Sequence, residues 1–293
     1  MTSSTAPEWK IGGRLVGPRH APLVIAEVGI NHEGDINKAL RMIDDAAGVG
    51  CECIKFQSHS VQDEMIPNGV VPANASEPIW DIIERCSLTP DEERQLKQYA
   101  ESKGLIFLST PFSREAADRL DGIDVAAFKI GSGECNNYPL VSHIAGFGKP
   151  VILSTGMNDI PAIRRAVDIF RSASVPYALL HCTSLYPTPY EHVRLGAMVE
   201  LAAEFPDAIV GLSDHSTTIY PALGAAALGA CILERHFTSD KMWPGPDIEV
   251  SMSPTELQML IEGTRAIHAS RGGRKAVLAD EQPTIDLDRE SVV

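Results

Sequence analysis

The stretch Ala208-Ile-Val-Gly-Leu-Ser-Asp-His-Ser216 is apolar for five residues and then ends abruptly in Ser213, Asp214 and His215. A short apolar run closed by polar groups reads as a buried strand that delivers side chains at its C-terminal end. About twenty residues on, Ala230-Cys-Ile-Leu-Glu-Arg-His-Phe237 does the same and ends in Glu234 and His236. The two read as consecutive parallel strands, each carrying one histidine, with a helix over residues 218–228 between them.

Upstream the plan repeats. Leu23-Val-Ile-Ala-Glu-Val-Gly29, Ile54-Lys-Phe-Gln57, Leu105-Ile-Phe-Leu-Ser-Thr110, Ala126-Ala-Phe-Lys-Ile-Gly-Ser132, Pro150-Val-Ile-Leu-Ser-Thr155 and Tyr177-Ala-Leu-Leu-His-Cys-Thr183 are further short apolar runs. Each leads to a segment with helical spacing of apolar residues: 36–49, 90–103, 113–120, 138–146, 160–172 and 195–204. Pro254 opens a last helix. Eight strands alternating with helices predict an α/β fold, a (β/α)8 TIM barrel, with an eight-stranded doubly wound sheet as the alternative. The absence of a glycine-rich dinucleotide fingerprint after the first strand lowers that alternative. The long segment between the second and third strands, with Pro67, Pro72 and Pro78, reads as a functional loop. The expected division is a polar leader at 1–22, a barrel at 23–272, and at 273–293 a linker in which Glu290-Ser-Val-Val293 opens a further strand.

With 293 residues, 44% hydrophobic and 22% charged, the chain can bury one large core. A net charge of −14 argues against nucleic acid or an anionic membrane as partner, and leaves room for a local basic pocket. Residues 1–10 lack a signal-peptide pattern, and no apolar run approaches the roughly 20 residues of a membrane span, so a soluble cytoplasmic protein is expected. The six cysteines show no CxxC pairing, which favours reduced, buried thiols. Cys51 and Cys53, two apart, are expected to share a strand face and pack; a metal or redox pair is the other reading.

In such a barrel the site lies at the C-terminal face. The polar residues closing the strands are Glu27, Lys55, Gln57, Thr110, Lys129, Ser132, Glu134, Ser154, Thr155, His181, Thr183, Ser213, His215, Glu234 and His236. Lys55 and Lys129, among so many hydroxyls, point to a phosphate or carboxylate ligand, with a Schiff-base lysine as the rival. His215 and His236, at equivalent ends of adjacent strands, are placed either to share a divalent metal or simply to pack. With two protein ligands, and water or substrate oxygen completing the shell, Mn²⁺ or Mg²⁺ suits better than a closed zinc site. Glu134 and Glu27 are the acid–base candidates, or else ion-pair partners of the lysines. Together these suit addition of a phosphate-bearing nucleophile to a metal-activated carbonyl.

Ten ordered motifs carry a family resemblance: Ile25-Ala-Glu-Val-Gly-Ile-Asn-His-Glu-Gly34, Ile54-Lys-Phe-Gln57, Leu108-Ser-Thr-Pro-Phe112, Lys129-Ile-Gly-Ser-Gly-Glu-Cys-Asn-Asn137, Leu153-Ser-Thr-Gly-Met157, His181-Cys-Thr183, Tyr186-Pro-Thr-Pro189, Gly211-Leu-Ser-Asp-His215, Glu234-Arg-His-Phe-Thr238 and Pro244-Gly-Pro-Asp247. From about Leu23 onward the chain resembles bacterial N-acetylneuraminate (sialic acid) synthases. The resemblance implies a transferase that condenses phosphoenolpyruvate with open-chain N-acetylmannosamine. It implies that His215 and His236 bind Mn²⁺, and that Lys55, Thr110, Lys129, Ser132, Ser154 and Ser213 hold phosphoenolpyruvate. Glu27, Gln57, Asn74, Tyr186 and Asp247 would contact the sugar, and Glu134 would manage protons. Ser184 departs from the family, standing where an asparagine is common near phosphoenolpyruvate. The family also carries a C-terminal antifreeze-like domain that reaches across a homodimer, and this chain is expected to end at about its first strand. Two alternatives stay open: a synthase of another nonulosonic acid, legionaminic-type, and a ligand-binding barrel with little turnover without that domain.

Overall fold

The eight apolar runs become strands of one parallel sheet. A computed structural model of the chain describes residues 6–72 and 75–290. After a short hairpin, β1 (Trp9–Ile11) with β2 (Arg14–Val16), come β3 (Leu23–Gly29), β4 (Cys53–Ser58), β5 (Ile106–Pro111), β6 (Phe128–Ile130), β7 (Val151–Ser154), β8 (Tyr177–Cys182), β9 (Ile209–Asp214) and β10 (Ile232–His236). The hydrogen-bonded order is β5-β4-β3-β10-β9-β8-β7-β6. The last strand therefore pairs with the first, Ile232 against Leu23 through His236 against Glu27. Contact between β5 and β6 closes the ring. A doubly wound sheet would keep its first and last strands apart, so the (β/α)8 barrel holds.

The pleat sorts the side chains, because successive residues of a strand point to opposite faces. Leu23, Ile25, Cys53, Leu108, Ala127, Ile152, Ala178, Leu180, Ile209 and Ile232 fill the barrel interior. Their neighbours Val24, Ala26, Ile54, Phe56, Phe128, Leu179, Val210 and Leu233 face outward and pack with Met42, Leu96, Leu120, Ile144, Phe170 and Leu260 from the helices. Both faces are covered, which is why these strands read as continuous apolar runs. Strong caps set several helix starts: a Thr89–Glu92 capping box opens Pro90–Ser102, another of Ser253 and Glu256 opens Pro254–Ser270, and Ser113 caps Arg114–Gly122.

Three expectations change. Residues 9–16 are not a loose polar leader: Ile11 and Val16 are fully buried within the interior cluster and cover the N-terminal end of the barrel. Trp9–Ile11 and Arg14–Val16 each bring one fully buried apolar residue out of a polar stretch, too little pattern to be read. Glu290 closes a helix, Gln282–Glu290, rather than opening a strand, and Pro283 stands in its first turn, where a missing N–H costs nothing; residues 291–293 lie outside the described residues. Cys51 precedes β4 and joins the outer cluster, its thiol donating to the Val24 carbonyl at 3.7 Å, whereas Cys53 faces the interior. The two do not share a face. All six thiols are free and buried. Among the described residues no helix is long and apolar enough to cross a membrane.

Candidate active site

Above the apolar interior layers the same inward-facing positions turn polar. A cavity of about 360 Å³ opens there, lined by Glu27, Lys55, Gln57, Thr110, Phe112, Lys129, Gly131, Ser132, Gly133, Ser154, Met157, Cys182, Ser184, Tyr186, Ser213, His215, Glu234 and His236. Every barrel strand or the loop after it contributes.

The floor is a buried quartet of two cations and two anions. Lys55 Nζ lies 2.6 Å from Glu27 Oε2 and 3.6 Å from Glu234 Oε1, and Lys129 Nζ is 3.6 Å from the same Glu234 oxygen; all four side chains are at most 7% exposed. Lys55 also donates to Thr110 Oγ1 at 2.8 Å, and Lys129 to Ser154 Oγ at 2.8 Å. Burial raises the Glu27 carboxyl to about 7 against the pull of Lys55. Burial would also raise Glu234, but Lys129 and Lys55 outweigh it and hold this carboxyl low. Burial depresses Lys129, whereas at Lys55 the same penalty is overcome by Glu234 and Glu27. Lys129 is thus the less tightly held cation, bonded to Ser154 in a cavity that Ser132 and Ser213 also line.

The two histidines stand together on the other side, ring centroids 5.5 Å apart. Tyr186 stacks on His215 at 4.0 Å and meets His236 edge-on at 5.9 Å. His215 Nδ1 donates to the Thr183 carbonyl at 3.0 Å, and against the effect of burial the neighbouring Cys182 raises this imidazole to about 9, so its Nε2 carries a proton that a bound cation would displace. Burial holds His236 neutral, its Nδ1 is buried without a hydrogen-bond partner, and Asp247 Oδ2 lies 3.8 Å from it. Burial pushes the Asp247 carboxyl up to about 6. Gly29 makes room here: its φ is +56°, and a Cβ would come within 3.2 Å of the His236 ring. Behind the wall Arg235 and Asp214, both fully buried, form an ion pair, and Arg235 also donates to the Ser216 carbonyl at 2.7 Å. That clamp ties together the strand ends that bear the histidines. His236, held neutral, and His215, once it gives up its proton, fit a divalent ion as a pair of imidazole ligands, although no group of three or more His, Cys, Asp or Glu converges on one point among the described residues.

The profile of the NeuB family matches residues 42–276. The chain belongs to the NeuB family. It is 38% identical over 281 residues to the N,N'-diacetyllegionaminic acid synthase of Campylobacter jejuni, covering 92% of this chain and 84% of that protein. With the N-acetylneuraminate-9-phosphate synthase of Homo sapiens it shares 34% identity over 265 residues, covering 89% and 74%. The crystal structure of N-acetylneuraminic acid synthetase from Leptospira borgpetersenii serovar Hardjo-bovis in complex with citrate matches at 34% identity with a TM-score of 0.88, covering 97% of each chain. The protein is accordingly an enzyme of the sialic acid synthase family, whose members serve carbohydrate biosynthesis.

Of the residues expected at this NeuB-family site, the structure brings Glu27, Lys55, Gln57, Thr110, Lys129, Ser132, Ser154, Ser184, Tyr186, Ser213, His215, Glu234 and His236 to one cavity. Asp247 stands just behind His236. Glu134 follows the lining residues Ser132 and Gly133 at the end of a 3-10 turn, and its carboxylate accepts from Asn137 Nδ2 at 2.6 Å. His181 points out of the barrel, its Nε2 donating to the Val193 carbonyl at 2.7 Å. Thr155 and Thr183 spend their hydroxyls on the Leu180 and His192 carbonyls. Asn74 lies outside the described residues. Residue selection on polarity alone missed Phe112, Met157 and Cys182. Alternation groups Cys182 with Ala178 and Leu180 and sets His181 on the other face, without saying which face lines the cavity.

Proposed function

We propose that this enzyme condenses phosphoenolpyruvate with the open-chain form of an acetamido sugar, N-acetylmannosamine in the first instance, to give N-acetylneuraminate and inorganic phosphate. One observation carries this reading: a single cavity with two buried lysines among serine and threonine hydroxyls on one side and two paired histidines on the other. Lys129 and Lys55, with Thr110, Ser132, Ser154, Ser184 and Ser213, would hold the phosphate and carboxylate of phosphoenolpyruvate. Glu27, Gln57, Tyr186 and Asp247 would orient the sugar hydroxyls and acetamido group.

C3 of the enol attacks the aldehyde carbon, and the aldehyde oxygen takes a proton. The cation left at C2 is stabilised by the carboxylates of Glu234 and Glu27. Water adds at C2 and gives up a proton, and phosphate leaves with cleavage of its C–O bond to leave the 2-keto acid. Holding both substrates aligned supplies much of the rate, about 7–11 kcal/mol in favourable cases. His215 and His236 would hold Mn²⁺ or Mg²⁺, which when bound polarises a carbonyl as a Lewis acid. Buried free thiols suit operation in a reducing cytoplasm.

A second reading has support in the higher identity to a diacetyllegionaminic acid synthase than to an N-acetylneuraminate-9-phosphate synthase. There the acceptor is a 6-deoxy diacetamido sugar and the chemistry is the same. The deciding experiment is phosphate release from phosphoenolpyruvate with Mn²⁺, comparing no sugar, N-acetylmannosamine and the diacetamido sugar, on this chain and His236→Ala. Release that needs a sugar and vanishes in the variant supports the condensation and names the acceptor. Failure of phosphoenolpyruvate to bind in calorimetry would overturn the assignment of the lysines.

A further inference from the structure

Gln57 lines the cavity, but what orients its carboxamide lies behind the barrel wall. Its Nε2 donates to Glu27 Oε1 at 3.1 Å, and its Oε1 is 3.0 Å from Nε2 of His59. The other ring nitrogen of His59 lies 2.9 and 3.1 Å from the two carboxylate oxygens of Glu64. The His59 and Glu64 side chains are each 4% exposed. The imidazole is stacked on Phe112, with centroids 4.4 Å apart and planes within 13°. Glu64 closes the short helix Val61–Glu64 and accepts from the Ser60 N–H at 3.3 Å. The remaining charged groups around His59 are Arg119, whose Nη2 donates to the His59 carbonyl at 2.9 Å, its partner Glu93, and His32. An unbroken line therefore runs Glu64, His59, Gln57, Glu27 and on to Lys55. The condensation as derived above uses neither His59 nor Glu64.

Counting hydrogens shows what the line does. An ionised carboxylate only accepts, so Glu64 requires a hydrogen on His59 Nδ1. Ionised Glu27 likewise takes the NH₂ end of Gln57, which turns the carbonyl end to His59 and requires a hydrogen on Nε2. If the carboxamide turns over, its NH₂ end meets a bare Nε2 and its carbonyl end requires a hydrogen on Glu27. These two arrangements pair every group. With Glu64 ionised, any other sets two acceptors or two donors face to face in a buried place, at about 1–3 kcal/mol. Both contain the same number of protons and differ in whether one stands on His59 or on Glu27.

We infer that His59 is a positioning residue for the condensation: held by Glu64 and Phe112, it dictates which end of the Gln57 carboxamide meets Glu27, and so the hydrogen-bonding polarity offered to the acceptor sugar. The inference rests on the proposed reaction and deepens it on the sugar side. Its test is a double-mutant cycle in steady-state kinetics on the wild type, His59→Phe, Gln57→Leu and the double variant. Phosphoenolpyruvate binding by calorimetry and ¹⁵N NMR of the His59 imidazole accompany it. His59→Phe keeps a ring against Phe112 and removes only the hydrogen bonds. The expected loss is roughly 10- to 100-fold in kcat/KM for the sugar, as for other groups that orient a binding side chain, with phosphoenolpyruvate affinity unchanged. In the Gln57→Leu background the same substitution costs nothing further, and Gln57→Leu shifts the His59 ¹⁵N signals. Equal losses in phosphoenolpyruvate affinity and sugar turnover would reduce His59 to a structural role and overturn the inference. So would losses that multiply in the double variant, or ¹⁵N signals that stay in place. Should the wild type release no phosphate with any acetamido sugar, the condensation falls, and the NMR comparison still decides whether Gln57 and His59 are coupled.

Discussion

Glu234→Gln tests the logic of the cavity floor. The carboxylate sits 3.6 Å from both lysine ammonium groups, at a depth where each such contact is worth about 4–5 kcal/mol of gross attraction at an effective dielectric near 20. Desolvation of three charged groups offsets most of that, and breaking a buried pair from one side costs about 3–5 kcal/mol net. Glutamine keeps the volume, so the cost is electrostatic: two buried cations left to share Glu27. At about 2.1 cal/mol/K of unfolding entropy per residue over 293 residues, the loss is about 5–8 °C in Tm. An anion restores what the substitution removes. The assay is thermal unfolding with and without phosphoenolpyruvate, and with inorganic phosphate as the minimal probe. For the wild type, ligand at a hundredfold over Kd adds about 2.7 kcal/mol. For Glu234→Gln the gain at equal ligand concentration is larger and closes most of the gap, because the lysines no longer have Glu234 as a competitor. A variant as stable as the wild type without anion, or one that gains no more from phosphoenolpyruvate, would refute the reasoning.

Two further outcomes are expected. Gly156→Ala should weaken phosphoenolpyruvate binding roughly 10- to 100-fold with little change in Tm, since a Cβ there would lie 2.5 Å from Ser184 Oγ and 2.9 Å from Ser132 Oγ, hydroxyls that can swing away but then no longer face the ligand; calorimetry showing unchanged affinity would contradict it. His32 is buried, accepts from the Gly34 N–H at 3.0 Å through Nδ1, and is lowered by burial, with help from His59, to about 4. A folded-state value below the unfolded 6.5 means stability present above pH 6.5 and lost as pH falls toward 4, about 3 kcal/mol in all. His32→Gln should flatten the stability–pH slope in that window by about one proton in denaturant melts, and an unchanged slope would show that His32 is not its source.

The strands and most helices were legible because their signals are local. Buried runs such as Ile209–Asp214, and caps such as Thr89 and Ser253, act within a few residues. The hairpin at Trp9–Val16 was not legible, since its two buried residues have meaning only against a barrel floor assembled from distant strands. Among site residues the limit was parity. A strand covered on both faces shows no alternation of polarity, so nothing in Tyr177–Cys182 says that Cys182 faces the cavity and His181 the helices. Nor could the sequence place the Glu134 carboxylate, which follows a 3-10 turn at Ser132–Glu134 and accepts from Asn137.

By itself the sequence determined the order of eight strands and their helices, the polar residues massed at strand ends, and the motifs that mark the NeuB family. Periodicity and residue chemistry are properties of neighbouring residues, so they survive without coordinates. The tertiary structure alone decided that Glu234 stands between Lys55 and Lys129, that His215 and His236 face each other under Tyr186, and that His59 reaches the cavity through Gln57. Those meetings join residues far apart in the chain, and only sheet register, pleat and barrel closure set which of them point inward at the same height.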